Sequence, residues 1–182
     1  MKEKIEIILA GTGGQGLVTS SIILGEAAID NNFEVTQKAN YGVTTIGGYV
    51  QADIVLSKET VIYPEVQEPN IILTLTQDAF NKFINVVKDD AVMIFDKNVI
   101  EYDGNAKNVI GYEISVAAME SNNPRAVNMS GLGVLIALTK ILPNDAIVNH
   151  ILSQNYRDEI NKLNLEAYRR GFDLVKHLYL IQ

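Results

Sequence analysis

The run Gly11-Thr12-Gly13-Gly14-Gln15-Gly16 constrains this chain more than any other. The short apolar run Ile5-Glu6-Ile7-Ile8-Leu9 precedes it, and a long apolar-periodic segment begins at Leu17. Strand, glycine turn, helix is the order that follows. Four glycines in six residues let the backbone take positive φ with no Cβ in the way. The amides that open the next helix then point at open space, with the positive end of the helix dipole behind them. Such a loop suits an anion or the backbone of another chain.

Gly11, Gly13 and Gly16 also satisfy G-x-G-x-x-G, the dinucleotide fingerprint. That reading needs an acidic residue at the end of the second strand, to hold the ribose hydroxyls. The second strand reads as Phe33 to Gln37 and completes a βαβ start. Glu34 lies inside it and Asp30 before it, so neither is placed for the ribose. Lys38 would suit a 2′-phosphate instead. The Walker form needs Lys-Ser/Thr after the loop, where this chain has Leu17-Val18. A tight turn with no ligand is a third reading of the same glycines.

Length and charge narrow the class. A chain of 182 residues suits a single domain over 1–182 with ample core. Its formal net charge of −7 and the lack of any Lys/Arg cluster argue against nonspecific nucleic-acid binding. With no cysteine it has no disulfide, no thiolate nucleophile and no cysteine-bound zinc or iron–sulfur cluster of its own. The N-terminus leads straight into a strand with no signal peptide, and no apolar run approaches the ~18 residues that span a bilayer. The expectation is a soluble cytoplasmic protein that binds no membrane.

Further along, residues 4–9 read as a buried strand and Leu17 to about Asn31 as a helix. Residues 38–48 form a long, glycine-marked loop containing Tyr41-Gly42 and Gly47-Gly48. Tyr49 to Leu56 alternates as a strand, and Ser57-Lys58-Glu59 turns it into a short partner, Thr60 to Tyr63. Asn70 to Leu75 and Ala91 to Phe95 read as buried strands, with a helix over Asp78 to Val87 between them. Val99 to Ser115 reads as a second β pair around Asp103-Gly104-Asn105. A polar loop over 119–125 leads into an apolar helix, Val127 to Lys140. Gly131 and Gly133 cost that helix roughly 1 kcal/mol each against alanine, which a close approach of another element would offset. Pro143 begins a short helix to about Leu152, and Arg157 to Leu180 is a final amphipathic helix.

Catalytic side chains are scarce, and neither a catalytic nor a metal-ligating residue is assigned. His150 and His177 fall in helices with nothing beside them to complete a site. Asp96 ends a strand, where open α/β sheets place ligands, but a cap is an equal reading. Tyr41 suits an interface aromatic. Asn128 opens an apolar helix and reads as a cap or an inter-subunit hydrogen-bond donor.

Taken together, four motifs resemble the gamma subunit of the 2-oxoacid:ferredoxin oxidoreductases, equivalent to one domain of the single-chain pyruvate enzymes. Gly11 to Thr19 resembles the opening Gly-x-Gly-Gly-Gln-Gly signature, with Glu26-Ala27-Ala28 in the helix after it. Tyr41-Gly42 followed by Gly47-Gly48 resembles a Tyr-Gly-x-x-x-Arg-Gly-Gly loop, except that Ile46 replaces the arginine. Arg125-Ala126-Val127-Asn128-Met129, leading to Leu132-Gly133, resembles the Arg-x-x-Asn-Met start of the apolar helix. Asn164-Leu165-Glu166-Ala167 with Gly171 resembles the closing helix. The motifs lie in order along essentially the whole chain.

The resemblance implies a complex that oxidatively decarboxylates a 2-oxoacid to acyl-CoA. Thiamine diphosphate, magnesium and iron–sulfur clusters would be held by other subunits, and electrons would pass to ferredoxin. This chain would pack on alpha, with beta and a ferredoxin-like delta subunit completing the complex, and help enclose the site where coenzyme A arrives. The candidate binding residues are Gly11, Thr12, Gly13, Gly14, Gln15, Gly16, Tyr41, Gly42, Gly47, Gly48 and Asn128. Both glycine loops follow strands of one sheet, so they are expected at a single carboxyl edge. The fold expected is an α/β three-layer sandwich with a mixed, mostly parallel sheet and a Rossmann-like start. Residues 49–63 and 99–115 would supply its antiparallel strands. A free-standing Rossmann-type enzyme and a binding module without catalytic duty are the rivals. Isolated, such a chain would dimerise through surfaces made for partners.

Overall fold

The computed structural model describes residues 4–42 and 48–178. In chain order the elements are β1 (Lys4–Thr12), α1 (Leu17–Asp30), β2 (Glu34–Tyr41) and β3 (Tyr49–Ser57). Then come β4 (Ile71–Thr74), α2 (Gln77–Phe83), β5 (Val92–Asp96) and β6 (Val109–Tyr112). Four helices close the chain: α3 (Ile114–Glu120), α4 (Val127–Thr139), α5 (Asn144–Leu152) and α6 (Asp158–Leu178). The strands form one sheet in the order β2-β3-β1-β4-β5-β6. β1, β4, β5 and β6 pair in parallel, while β3 runs antiparallel to both β1 and β2. β2 therefore points the same way as β1, one strand removed. This is the mixed, mostly parallel α/β sheet that the resemblance implies.

The central strands β1, β4 and β5 carry near-continuous apolar runs because both faces are covered. On one face α1, α4, α5 and α6 enclose Ile7, Leu9, Ile54, Leu73 and Ile94. On the other, Ala79, Phe80 and Phe83 of α2 pack on Ile8, Ala10, Ile72 and Met93. β2 and β3 alternate instead, since only the α1 side of them is packed: Val50, Ala52, Ile54 and Leu56 face in. The opposite face carries a polar ladder. Asn40 Nδ2 donates to Asp53 Oδ2 at 2.7 Å, Gln51 Nε2 to Asp53 Oδ1 at 2.5 Å and Tyr49 OH to Gln51 Oε1 at 2.6 Å.

Three expectations need correction. The second strand runs past Gln37 to Tyr41, so the first four residues of the supposed 38–48 loop extend the sheet. Antiparallel pairing with β3 from Glu34 to Tyr41 satisfies their backbone groups. The Thr60–Tyr63 strand is absent. Residues 58–70 form irregular connection instead, held by side chains: Glu34 Oε2 accepts from Val61 N at 3.0 Å, and Thr36 Oγ1 donates to Pro64 O at 2.8 Å. The hairpin over 99–115 is absent as well. Only Val109–Tyr112 is a strand, and it runs parallel to β5, so it supplies no antiparallel strand. Burial overrides the Asp-Gly turn signal there, because Ile100 is buried and Tyr102 stacks within 5.2 Å of Phe80 and 5.8 Å of Phe95.

The glycines of α4 do answer a close approach. A Cβ on Gly133 would fall 2.1 Å from Tyr168 O, and one on Gly171 would fall 2.0 Å from Ser130 O. Backbone of α4 and α6 therefore meets directly, and Ser130 Oγ donates across the contact to Ala167 O at 3.0 Å.

Candidate functional site

The turn after β1 is built on two left-handed glycines. Gly14 has φ +93° and Gly16 has φ +75°, conformations that side chains rarely adopt. Gly16 caps α1, and its carbonyl accepts the first helical bond from Ser20 N at 3.0 Å. The amides that open α1, from Gly16 to Thr19, belong to the set that no helix can satisfy internally.

Three side chains or loops hold this turn in shape. Gln15 Oε1 accepts from Thr12 N at 2.8 Å, and Gln15 Nε2 lies 3.4 Å from Leu75 O, just beyond β4. Asn128, buried near the start of α4, donates to Gly16 O and to Ser20 Oγ, each at 2.9 Å. It is not the α4 cap, a place taken by Ala126, and its amide nitrogen is engaged within the chain. Gly13 N donates to Gly48 O at 2.8 Å, and Gly42 N to Tyr49 O at 2.7 Å. The two glycine loops are thus hydrogen-bonded to each other at the carboxyl ends of β1 and β2, as their common edge requires. Gly47 and Ile46 lie outside the described residues. Tyr41 is 70% exposed at the rim, and Thr12 pairs with Tyr49 at the last register position of β1.

This edge lies at a topological switch point. The helix after β1 packs on one face of the sheet and the helix after β4 on the other, although β1 and β4 are neighbours. Open α/β sheets bind ligands in the crevice such a divergence leaves.

The remaining candidates fall elsewhere. Asp96 ends β5 and is buried, with its carboxylate accepting from Asn98 N at 3.2 Å and Ser115 N at 3.0 Å. Burial pushes its carboxyl up, and those hydrogen bonds, with one from Ile114, pull the other way. The cap reading holds for it, since it satisfies the start of α3. His150 bridges α5 to α1, with Nε2 2.8 Å from Asp30 Oδ2 and Nδ1 3.4 Å from Glu26 Oε2. The His177 side chain lies outside the described residues. Among the described residues no cluster of His, Cys, Asp or Glu could hold a metal ion, and no helix is long and apolar enough to cross a membrane. Sequence reasoning missed Leu75 and Ser20 as partners of the turn, since neither has a motif of its own.

Comparison with known proteins agrees with the four motifs. Residues 6–174 match the family model of the pyruvate ferredoxin/flavodoxin oxidoreductases. The chain is 32% identical to the 2-oxoglutarate synthase subunit KorC of Methanocaldococcus jannaschii, over 98% of this chain and 97% of that protein. It superposes on the gamma subunit of the keto/oxoacid ferredoxin oxidoreductase of Geobacter sulfurreducens with a TM-score of 0.81 and 25% identity, covering 95% and 99% of the two chains. The fold also matches 32% of a longer chain in the 2-oxoglutarate:ferredoxin oxidoreductase of Magnetococcus marinus, at a TM-score of 0.84 and 21% identity over 97% of this chain. That structure carries 2-oxoglutarate, coenzyme A and succinyl-CoA. The chain belongs to the pyruvate ferredoxin/flavodoxin oxidoreductase family, as a gamma subunit of a 2-oxoacid:ferredoxin oxidoreductase.

Proposed function

We propose that this subunit contributes the glycine edge, Gly11 to Gly16 with Gly42 and Gly48, to the enclosure in which coenzyme A receives the acyl group. The oxoacid would be decarboxylated and oxidised on the alpha and beta subunits. Two electrons would leave for ferredoxin through clusters in beta or delta, and the coenzyme A thiol would take up the acyl carbon as a thioester. Thiamine diphosphate, magnesium and the clusters, all held by those partners, supply the decarboxylation and one-electron chemistry when bound. The KorC likeness supports 2-oxoglutarate as the oxoacid.

The observation that carries this reading is the outward side of the turn. Gly13 and Gly14 are exposed, and a Cβ on Gly14 would meet nothing within 4 Å among the described residues. Glycine there answers to backbone shape and to whatever approaches from outside, since no described neighbour demands it. Backbone amides at the start of α1, with the helix dipole behind them, suit the phosphates of coenzyme A. No step is assigned to a side chain of this subunit, whose part is to bind and to exclude water.

The test substitutes Gly14 in the assembled complex. Gly14→Leu adds bulk that the described residues leave room for, at a backbone cost of about 1–2 kcal/mol for positive φ. Gly14→Asn adds bulk with less strain. Both are expected to leave the subunit folded and to cut coenzyme A-dependent turnover. Unchanged turnover together with unchanged assembly would end the proposal.

A further inference from the structure

The crevice between β1 and β4 is where a nucleotide would lie if the glycine turn were a dinucleotide site. In this protein a side chain of the turn reaches into it. Gln15 uses both ends of its amide there: the oxygen takes the Thr12 N–H, and the nitrogen faces the Leu75 carbonyl across the gap. Leu75 N is itself fixed by Ala10 O at 3.0 Å, so the far wall is anchored to β1. Gly11 is buried beneath, and a Cβ on it would fall 2.2 Å from Gln15 Oε1. Next nearest to that Cβ is the flexible end of Leu17, at 3.2 Å. Gly16 stands in the same relation to Asn128, whose Nδ2 would be 2.7 Å from its Cβ. Two glycines of the motif thus lie under amide side chains of the same chain, and Gly16 is held to glycine by its positive φ as well. The other two face outward.

We infer that Gln15 is a positioning residue that fills the switch-point crevice from within, and that Gly11 is glycine to leave room for its amide. The inference rests on the reading of the outward edge as part of the coenzyme A enclosure. Gln15 holds Gly13 and Gly14 at the height where the ligand meets them, and the crevice itself takes no nucleotide. Evicting the amide loosens the turn, whether by truncating Gln15 or by crowding it from position 11. The two substitutions therefore act on one contact and cannot add.

The experiment is a double-mutant cycle in the assembled complex, with coenzyme A varied at saturating oxoacid. Gln15→Ala and Gly11→Ala are each expected to raise the KM for coenzyme A about tenfold with kcat little changed. The double variant Gly11→Ala/Gln15→Ala is expected to match Gln15→Ala alone, because the methyl then has space. Gln15→Glu keeps length and the acceptor for Thr12 N but loses the donor to Leu75 O, so its KM should fall between wild type and Gln15→Ala. It also carries the test if the alanine variants fail to assemble. Single effects that multiply in the double variant overturn the inference, as does an unchanged KM in Gln15→Ala or Gln15→Glu. A defect in Gly14→Leu beside normal Gln15 variants would sink this inference and leave the edge reading intact, whereas a normal Gly14→Leu would sink the edge reading itself.

Discussion

At the scale of single residues, the polar groups buried in this chain organise its loops. Glu6 is the clearest case. It lies within β1 on the α2 side of the sheet, 4% exposed, where its neighbours in the pattern are apolar. Its carboxylate accepts from Gln67 N at 2.8 Å and Glu68 N at 2.5 Å, and pairs with Lys4. The end of the long connection before β4 is tied down by this side chain, as its earlier part is by Glu34 and Thr36. Burial pushes the Glu6 carboxyl up, but Lys4 and the two amides together outweigh it and hold it below its ordinary value of 4.5. A carboxyl held low in the folded chain adds stability that is complete above 4.5 and is lost as the pH falls through the lowered value. Glu6→Gln is expected to cost roughly 1–3 kcal/mol at neutral pH, since both amides bond one oxygen and the NH2 that replaces the other is left facing the Lys4 ammonium. It should also flatten the acid limb of stability below 4.5. Denaturant titrations at neutral and acid pH check both.

Whole elements meet at backbone distance where α4 crosses α6. Gly→Ala in a helix interior ordinarily gains about 1 kcal/mol. At Gly133 the sign reverses, because the added methyl runs into the Tyr168 carbonyl and the Phe172 amide, and neither can yield without moving the helix. Gly133→Ala is expected to destabilise by about 3 kcal/mol or more, seen as a lowered thermal midpoint. Gly131→Ala should be milder, since its methyl would meet the end of the Leu73 side chain at 2.9 Å, a group that can rotate away. The contact also bears on the glycine edge, because the same α4 carries Asn128 to Gly16.

For the molecule as a whole, the exposed glycine turn stands at the carboxyl end of β1, and the described side chains that hold it, Gln15 and Asn128, are amides rather than acids, bases or nucleophiles. The isolated subunit is therefore expected to show no oxoacid oxidation with ferredoxin or a dye, and activity should return on mixing with cysteine-rich, thiamine-binding partners. Turnover by the purified chain with a nicotinamide cofactor would contradict this. Co-purification followed by an activity assay separates the two outcomes. Two open surface hollows lie away from the edge, one between α1 and α5 beside His150 and one beside Tyr102 and Gly111. At the glycine edge Gly13 and Gly14 are exposed, which suits contact with a ligand or chain brought by other subunits.

The sequence by itself determined the strand–turn–helix opening, the apolar central strands, the α4 helix and the family, because each rests on local periodicity or on motifs of fixed spacing. Gly11 to Gly16 announced its backbone shape, and Gly131 and Gly133 announced a close contact, through the absence of side chains. Pairing across the sheet was not local. Whether 60–63 or 99–115 formed hairpins depended on what covered them, and the burial of Ile100 and the stacking of Tyr102 outweighed a good turn signal. The tertiary structure alone decided which glycines face inward, since Gln15 meets Leu75 60 residues away and Asn128 meets Gly16 across 112. Contacts over such separations arise only when the sheet and α4 are in place, and spacing along the chain carries no trace of them.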